Sequence, residues 1–351
     1  MPAAPGMLQL SGHVGTIRGA GGVGGRAVKL ASLRRGGRDG TLIVVDRALR
    51  SATAVARIAP TLQHAVERWD ELRPQLQDVY ERLNAGGVDT SFAFKEAELA
   101  APLPRAYQWL DGSAYVNHVE LVRRARGAQM PERFWTDPLM YQGGSDGFDG
   151  PRDPIRGLDP AWGIDFEAEV AVVTDDVPLG CSTDAAAAHI VLLMLVNDVS
   201  LRALIPGELE KGFGFVHGKP RSAFSPVAVT PDELGDAWHG GKLHLPLRTE
   251  FNDQPFGQPD AGQDMTFGFP RLLSHAATTR SLAAGSIVGS GTVSNVDRSR
   301  GSSCLAERRM LEKLDGGAPS TPFMQPGDRV RIEMLDDAGR SIFGAIDQRV
   351  E

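Results

Sequence analysis

Cysteine is nearly absent from this chain. Its two, Cys181 and Cys304, are too few and too far apart for a disulfide framework. That excludes the small cross-linked secreted class and is the natural pattern of a reducing cytoplasm. Long apolar runs are missing too. The longest, Ile190 to Val196, is core length and far short of the roughly 18 residues that suggest a membrane span. There is no basic excess: 37 Lys and Arg against 44 Asp and Glu give a net charge of −7, which argues against nucleic acid or an anionic membrane as partner. Neither the basic start nor the apolar segment of a secretory signal is found at the beginning. Residues 1–26, rich in Gly and small residues, read as a poorly ordered extension.

What is present is ordinary for a globular protein: 351 residues, 42% hydrophobic and 23% charged, with room for one large domain or two of usual size. Val28–Leu33 and Thr41–Asp46 read as a hairpin about a Gly-rich turn. Between Thr61 and Leu83, apolar residues recur at spacings of three and four, which predicts a helix that Pro74 should kink or split. Ala100–Pro104 reads as a linker, giving a small domain over 27–101 and a larger one over 102–351. Further on, Tyr115–Arg126 predicts a short helix and 131–163 a long loop. Thr183 is the expected cap of a helix leading into the apolar run that ends at Asn197-Asp198. Phe269–Leu282 reads as a helix, and strands are expected at 242–251, 286–290, 328–334 and 341–349, the last two joined by Asp336-Asp337-Ala338-Gly339. Strands outnumber helices without alternating with them, so the fold class is α+β, mostly β.

The chemistry concentrates in Ile164–Val173, where Glu167 and Glu169 flank Ala168. A strand sends residues two apart to one face, so both carboxylates point the same way from an apolar element. Like charges so placed resist burial unless a cation neutralises them, and hard oxygen donors suit Mg²⁺, Ca²⁺ or Mn²⁺. A solvated strand face is the other reading, and the pair alone leaves both open. Asp198 emerges from the apolar run, with Arg202 four residues on as an ion-pair partner or Asp198 itself as a metal ligand. Asp111-Gly112 is a turn before the helix bearing His118. Lys219, between Gly218 and Pro220, can act as a fixed cation or be an exposed loop lysine. In Gly289–Asn295, small residues let the backbone approach a ligand, or mark a strand-to-turn transition. Gly19–Gly24 satisfies G-x-G-x-x-G formally, but a strand follows it, not the helix that a dinucleotide needs, so a nicotinamide oxidoreductase is a remote reading.

Asp111, His118, Glu167 with Glu169, Asn197-Asp198 with Arg202, Lys219 and Ser290-Gly291-Thr292 follow one another in an order that resembles the fumarylacetoacetate hydrolase family over about 102–351. The resemblance implies a mixed β-sandwich roll behind a small N-terminal domain, a homodimer, and one divalent cation, Mg²⁺ or Ca²⁺, with Mn²⁺ also possible. It makes Asp111, Glu167, Glu169 and Asp198 metal ligands, and His118 the base, oriented by Glu307. Arg202 and Lys219 would hold substrate charge, and Tyr141, Thr292, Ser113 and Tyr115 would contact substrate. Ser113 stands where the family has a tyrosine, Ile205 replaces a substrate-binding glutamine, and Glu120 lies two residues after His118 where the short relatives have three. The implied reaction is hydrolysis of a C–C bond in a 1,3-diketone acid such as fumarylacetoacetate, in tyrosine degradation or other aromatic catabolism. Acylpyruvate hydrolysis, β-keto acid decarboxylation and 2-oxo-enoate hydration are alternatives on the same scaffold, and an inactive metal-binding homologue is a further one.

Overall fold

The computed structural model describes residues 27–125 and 129–351; the 1–26 extension and the Gly19–Gly24 run lie outside the described residues. One long mixed sheet organises the molecule. From edge to edge it runs Phe92–Ala93, Ser51–Ala54, Thr41–Val45, Lys29–Leu33, Ala228–Val229, Ile190–Asn197, Ala168–Thr174, Ile287–Gly289, Trp109–Gly112 and Met140–Gly143. Every pairing on this path is antiparallel except that of Ile287–Gly289 with Trp109–Gly112. A second sheet orders Gln254–Gly257, Leu247–Phe251, Arg329–Met334 and Ile346–Arg349.

The central strands are buried at every position, so both faces of the long sheet are covered. Val170, Val172, Leu193 and Leu195 pack with Leu247, Ile332 and Ile346 of the second sheet. Ala171, Val173, Leu192 and Met194 face the other way, in one cluster with Leu62, Trp69, Leu72 and Leu76 of the N-terminal helices. The period-two alternation of each strand thus feeds two cores. Mixed α+β with strands predominating is the observed class, as the sequence implies. Among the described residues no helix is long and apolar enough to cross a membrane.

Several local expectations are corrected. The helical stretch breaks at Arg68, whose backbone leaves the helical region, and Pro74 lies inside Trp69–Asn84. Burial of Leu72 and Leu76 on either side outweighs the roughly 3 kcal/mol a proline costs a helix. Ser182, not Thr183, caps the helix Thr183–Ala186. Phe269–Ala276 is shorter than expected, because the chain leaves the helix so that Leu282 can bridge to Val177. The supposed loop 131–163 contains the strand Met140–Gly143. The Ile164–Val173 strand is divided: Ile164–Asp165 pairs with Ser200–Leu201, while Ala168–Thr174 joins the long sheet. The strand expected over 242–251 is also split, into Lys242–Leu243 and Leu247–Phe251, and Ile346–Arg349 is shorter than its sequence pattern.

Ala101, Pro102 and Leu103, expected in a linker, are buried, and the N-terminal strands continue the sheet of the larger region through Lys29–Leu33 against Ala228–Val229. Lys29 ties this seam. Its ammonium lies 2.5 Å from the Ile342 carbonyl and 3.7 Å from Glu233, which also accepts from the Tyr80 hydroxyl at 2.9 Å. Burial lowers the Lys29 pKa from 10.5 to about 8, against the pull of Glu233. The unfolded chain therefore binds this proton more tightly, and the group's contribution to stability rises with pH between about 8 and 10.5. Relative to Lys29→Met, the wild type should lose about 3 kcal/mol as pH falls through that window and nothing further below it. Denaturant unfolding of both proteins at pH 8 and above checks this; a constant difference would refute it.

Candidate active site

The site forms where four distant strand ends meet. Gly289 pairs with Asp111 on one side and with Ala171 on the other. Glu169, two residues from Ala171, shares its face of the sheet. Asp198 follows the strand Ile190–Asn197 and donates its backbone N–H to the Glu167 carbonyl at 3.0 Å. Carboxylate oxygens of Asp111, Glu169 and Asp198 consequently lie within 4.8 Å of one another, all buried. Gly289 makes the gap: a Cβ there would stand 2.4 Å from Asp111 Oδ1 and 2.5 Å from the Trp109 ring. Gly291, with φ of +75°, donates its N–H to Asp111 Oδ1 at 2.9 Å.

Glu169 is fully buried and neither of its oxygens receives a hydrogen bond. Burial first, then Asp111 and Asp198, push its carboxyl well above the usual carboxylate range. Asp111 is pushed up to about 8, chiefly by burial and then by Asp198. Asp198 is better served. Tyr141 donates to Oδ2 at 2.5 Å, Ser222 to Oδ1 at 2.6 Å, and the Lys219 ammonium lies 2.5 Å from Oδ2. Lys219 also reaches Glu167 Oε2 at 2.5 Å. Burial opposes the Lys219 charge, but Asp198, Glu167 and Asp111 outweigh it and hold the ammonium protonated.

Glu167 stands beside the trio, not within it. Its strand neighbour Glu169 lies in the long sheet, whereas Glu167 falls at the strand break, bridged to Cys304. Arg202 Nη2 donates to Glu167 Oε1 at 2.7 Å and its Nε to Asp165 Oδ2 at 2.8 Å. The plain Asp198–Arg202 ion pair is therefore not what forms: Lys219 is the partner of Asp198, and Arg202 is committed to Asp165 and Glu167. Burial works against the Glu167 charge, but Lys219 and Arg202 overcome it and depress its carboxyl. With Asp165 included, five buried carboxylates surround two cations, Lys219 and Arg202. That leaves an excess of negative charge that a hard divalent cation would neutralise, and an unpartnered Glu169 that it would satisfy.

His118 lies on the helix Val116–Ala125, a few residues past Asp111-Gly112. Its Nδ1 is 2.5 Å from Glu307 Oε2. Glu307 is buried on the first turn of Leu305–Leu314, a helix capped by Cys304 Sγ. A proton on Nδ1 donated to Glu307 leaves Nε2 as the free nitrogen, the arrangement of a base with a fixed tautomer. Elsewhere, the Tyr115 hydroxyl is buried and donated to the Ala261 carbonyl at 2.5 Å. Thr292 is buried, and Ser113 is half-buried with its backbone N–H bonded to Leu139. Sequence reasoning passed over Asp165 and Ser222. Asp165 carried a signal, since Asp165, Glu167 and Glu169 are in phase at two-residue steps; Ser222 carried none.

Residues 108–351 match the family model described as fumarylacetoacetate (FAA) hydrolase C-terminal, and residues 28–105 that described as fumarylacetoacetase N-terminal domain 2. Oxaloacetate tautomerase YisK of Bacillus subtilis is 24% identical over 213 residues, 59% of this chain and 65% of that protein, so the match spans just under two thirds of the relative. Fumarylacetoacetate hydrolase of Exiguobacterium antarcticum shares the fold, with a TM-score of 0.62 and 16% identity over 92% of this chain and 99% of that one. So does maleylpyruvate hydrolase of Sphingobium sp. SYK-6, solved with manganese(II) and pyruvate, at a TM-score of 0.59 and 15% identity over 92% and 98%.

The gap at Gly289 yields a test. Gly289→Ala should destabilise the protein by about 1–3 kcal/mol, because the added methyl meets Asp111 and Trp109 in a packed site. A thermal midpoint equal to that of the wild type would refute the close packing.

Proposed function

The chain belongs to the fumarylacetoacetate hydrolase family, and from that premise we propose a divalent-metal-dependent enzyme that hydrolyses a C–C bond in a small 1,3-diketone acid such as fumarylacetoacetate. The observation that carries the reading is the buried trio Asp111, Glu169 and Asp198, with its unpartnered Glu169. These donors fit a hard cation: Asp111, Glu169 and Asp198 would hold it, with Glu167 beside them. Such a cation, when bound, supplies Lewis-acid polarisation of the keto oxygens.

The side chains divide the remaining work. Glu307 holds His118 so that Nε2 takes a proton from water, whose oxygen adds to the carbonyl carbon. The C–C bond then breaks, its electron pair passing to the neighbouring carbon, which takes the proton held on His118 Nε2 to release the second acid. Lys219, which bridges Glu167 and Asp198, is the cation for the anionic substrate by family resemblance, and Arg202, held by Asp165 and Glu167, positions the latter. Tyr141 and Ser222 keep Asp198 oriented. The family resemblance supports a homodimer, and the scarcity of cysteine supports a reducing cytoplasm.

The match to an oxaloacetate tautomerase favours a second reading, keto–enol proton transfer by His118 with no hydrolytic water. Purified protein assayed with fumarylacetoacetate, acylpyruvates, oxaloacetate and 2-oxopent-4-enoate separates hydrolysis from tautomerisation, decarboxylation and hydration. Glu169→Gln should lower Mn²⁺ affinity, read by calorimetry, and turnover together by about tenfold or more. For His118→Ala the expected pattern is metal binding retained and turnover reduced by roughly 10²-fold or more. Unchanged metal binding in the first variant, or unchanged turnover in the second, overturns the assignment.

A further inference from the structure

Asp165 is fully buried, lies outside the acidic trio, and has no part in the steps above. Its carboxylate receives three hydrogen bonds. The Leu305 N–H donates to Oδ1 at 2.7 Å, the Ala306 N–H to Oδ2 at 2.9 Å, and Arg202 Nε to Oδ2 at 2.8 Å. Those two amides open the helix Leu305–Leu314, whose first N–H groups have no partner within the helix. A carboxylate there also meets the positive end of the helix dipole. The next residue along is Glu307, the partner of His118. In the other direction, Arg202 passes from Asp165 to Glu167.

We propose that Asp165 is a positioning residue that registers the Glu307–His118 pair against the acidic cluster, through the start of one helix on one side and Arg202 on the other. The proposal rests on His118 being the base. Its two oxygens are matched to three donors arriving from both sides, so the links depend on both oxygens accepting. Asp165→Asn replaces one oxygen with an NH₂ group. That group faces either the Leu305 amide or the Ala306 amide and Arg202, donor against donor, and one link must open.

The test joins a double-mutant cycle to a readout that needs no substrate. Asp165→Asn should lower kcat about tenfold with His118 present and less than about twofold in the His118→Ala background, because interacting sites are not additive. In ¹⁵N-histidine spectra, His118 should show a protonated Nδ1 in the wild type and a mixed tautomer in Asp165→Asn. Equal losses in both backgrounds with an unchanged tautomer would mean that Asp165 is merely structural, and the proposal falls. If the wild type turns over none of the four substrates, the reaction assignment fails while the spectra still decide the role of Asp165. Should Asp165→Asn not fold, Asp165→Glu, which keeps the charge but displaces both oxygens, is carried through the same measurements with the same expected and contrary results.

Discussion

Asp111, Glu169 and Asp198 are crowded into a space that water barely reaches, and much of the surrounding structure exists to hold them there. Removing a carboxylate from water without a partner is costly, and doing so beside two others is more so. Lys219 bridges Asp198 and Glu167, Tyr141 and Ser222 serve Asp198, and Gly291 serves Asp111. Glu169 alone is left unserved. The sheet supplies the rigidity: strands covered on both faces cannot relax to let the charges separate. Such preorganisation is what a cation site needs, since the binding energy is not spent on gathering the ligands.

The second theme is that positive charge is shared, not matched one to one. Arg202 spans Asp165 and Glu167 with different nitrogens of one planar group, a task for which a lysine point charge is unsuited. Lys219 instead bridges with a single ammonium and leans on the Tyr141 ring 5.1 Å away. The two cations thereby hold Glu167 out of the trio while keeping it adjacent. Glu307, remote from this network in sequence, meets it through the helix start, where Leu305 and Ala306 bond Asp165 and where Cys304, bridged to Glu167, caps the helix.

Much of this was legible in the amino-acid sequence. Two-residue phase put Glu167 and Glu169 on one side, and the apolar run before Asp198 marked an element delivering a carboxylate from the core. The ordered set of acids, His118 and Lys219 gave the family resemblance. What stayed hidden is non-local. No periodicity indicates that Gly289 pairs with both Asp111 and Ala171, or that the Ile164–Val173 stretch divides so that Glu167 departs from Glu169. Pro74 misled for a similar reason: local propensity argued for a break, and the burial of Leu72 and Leu76 overrode it. The spacing of Arg202 from Asp198 suggests an ion pair, yet its partners Asp165 and Glu167 lie on a different strand and at the strand break.

The hydrogen bond from Gly291 to Asp111 closes a loop of 180 residues. Contacts so distant along the chain form late, after the loop-closure entropy of everything between them has been met. During synthesis, Asp111, Glu169 and Asp198 therefore emerge long before the strand at Ile287–Gly289 that seats Asp111 beside its neighbours. A nascent chain has the acids without the cage, and the ion-ready geometry appears only after residues 287–291 have emerged.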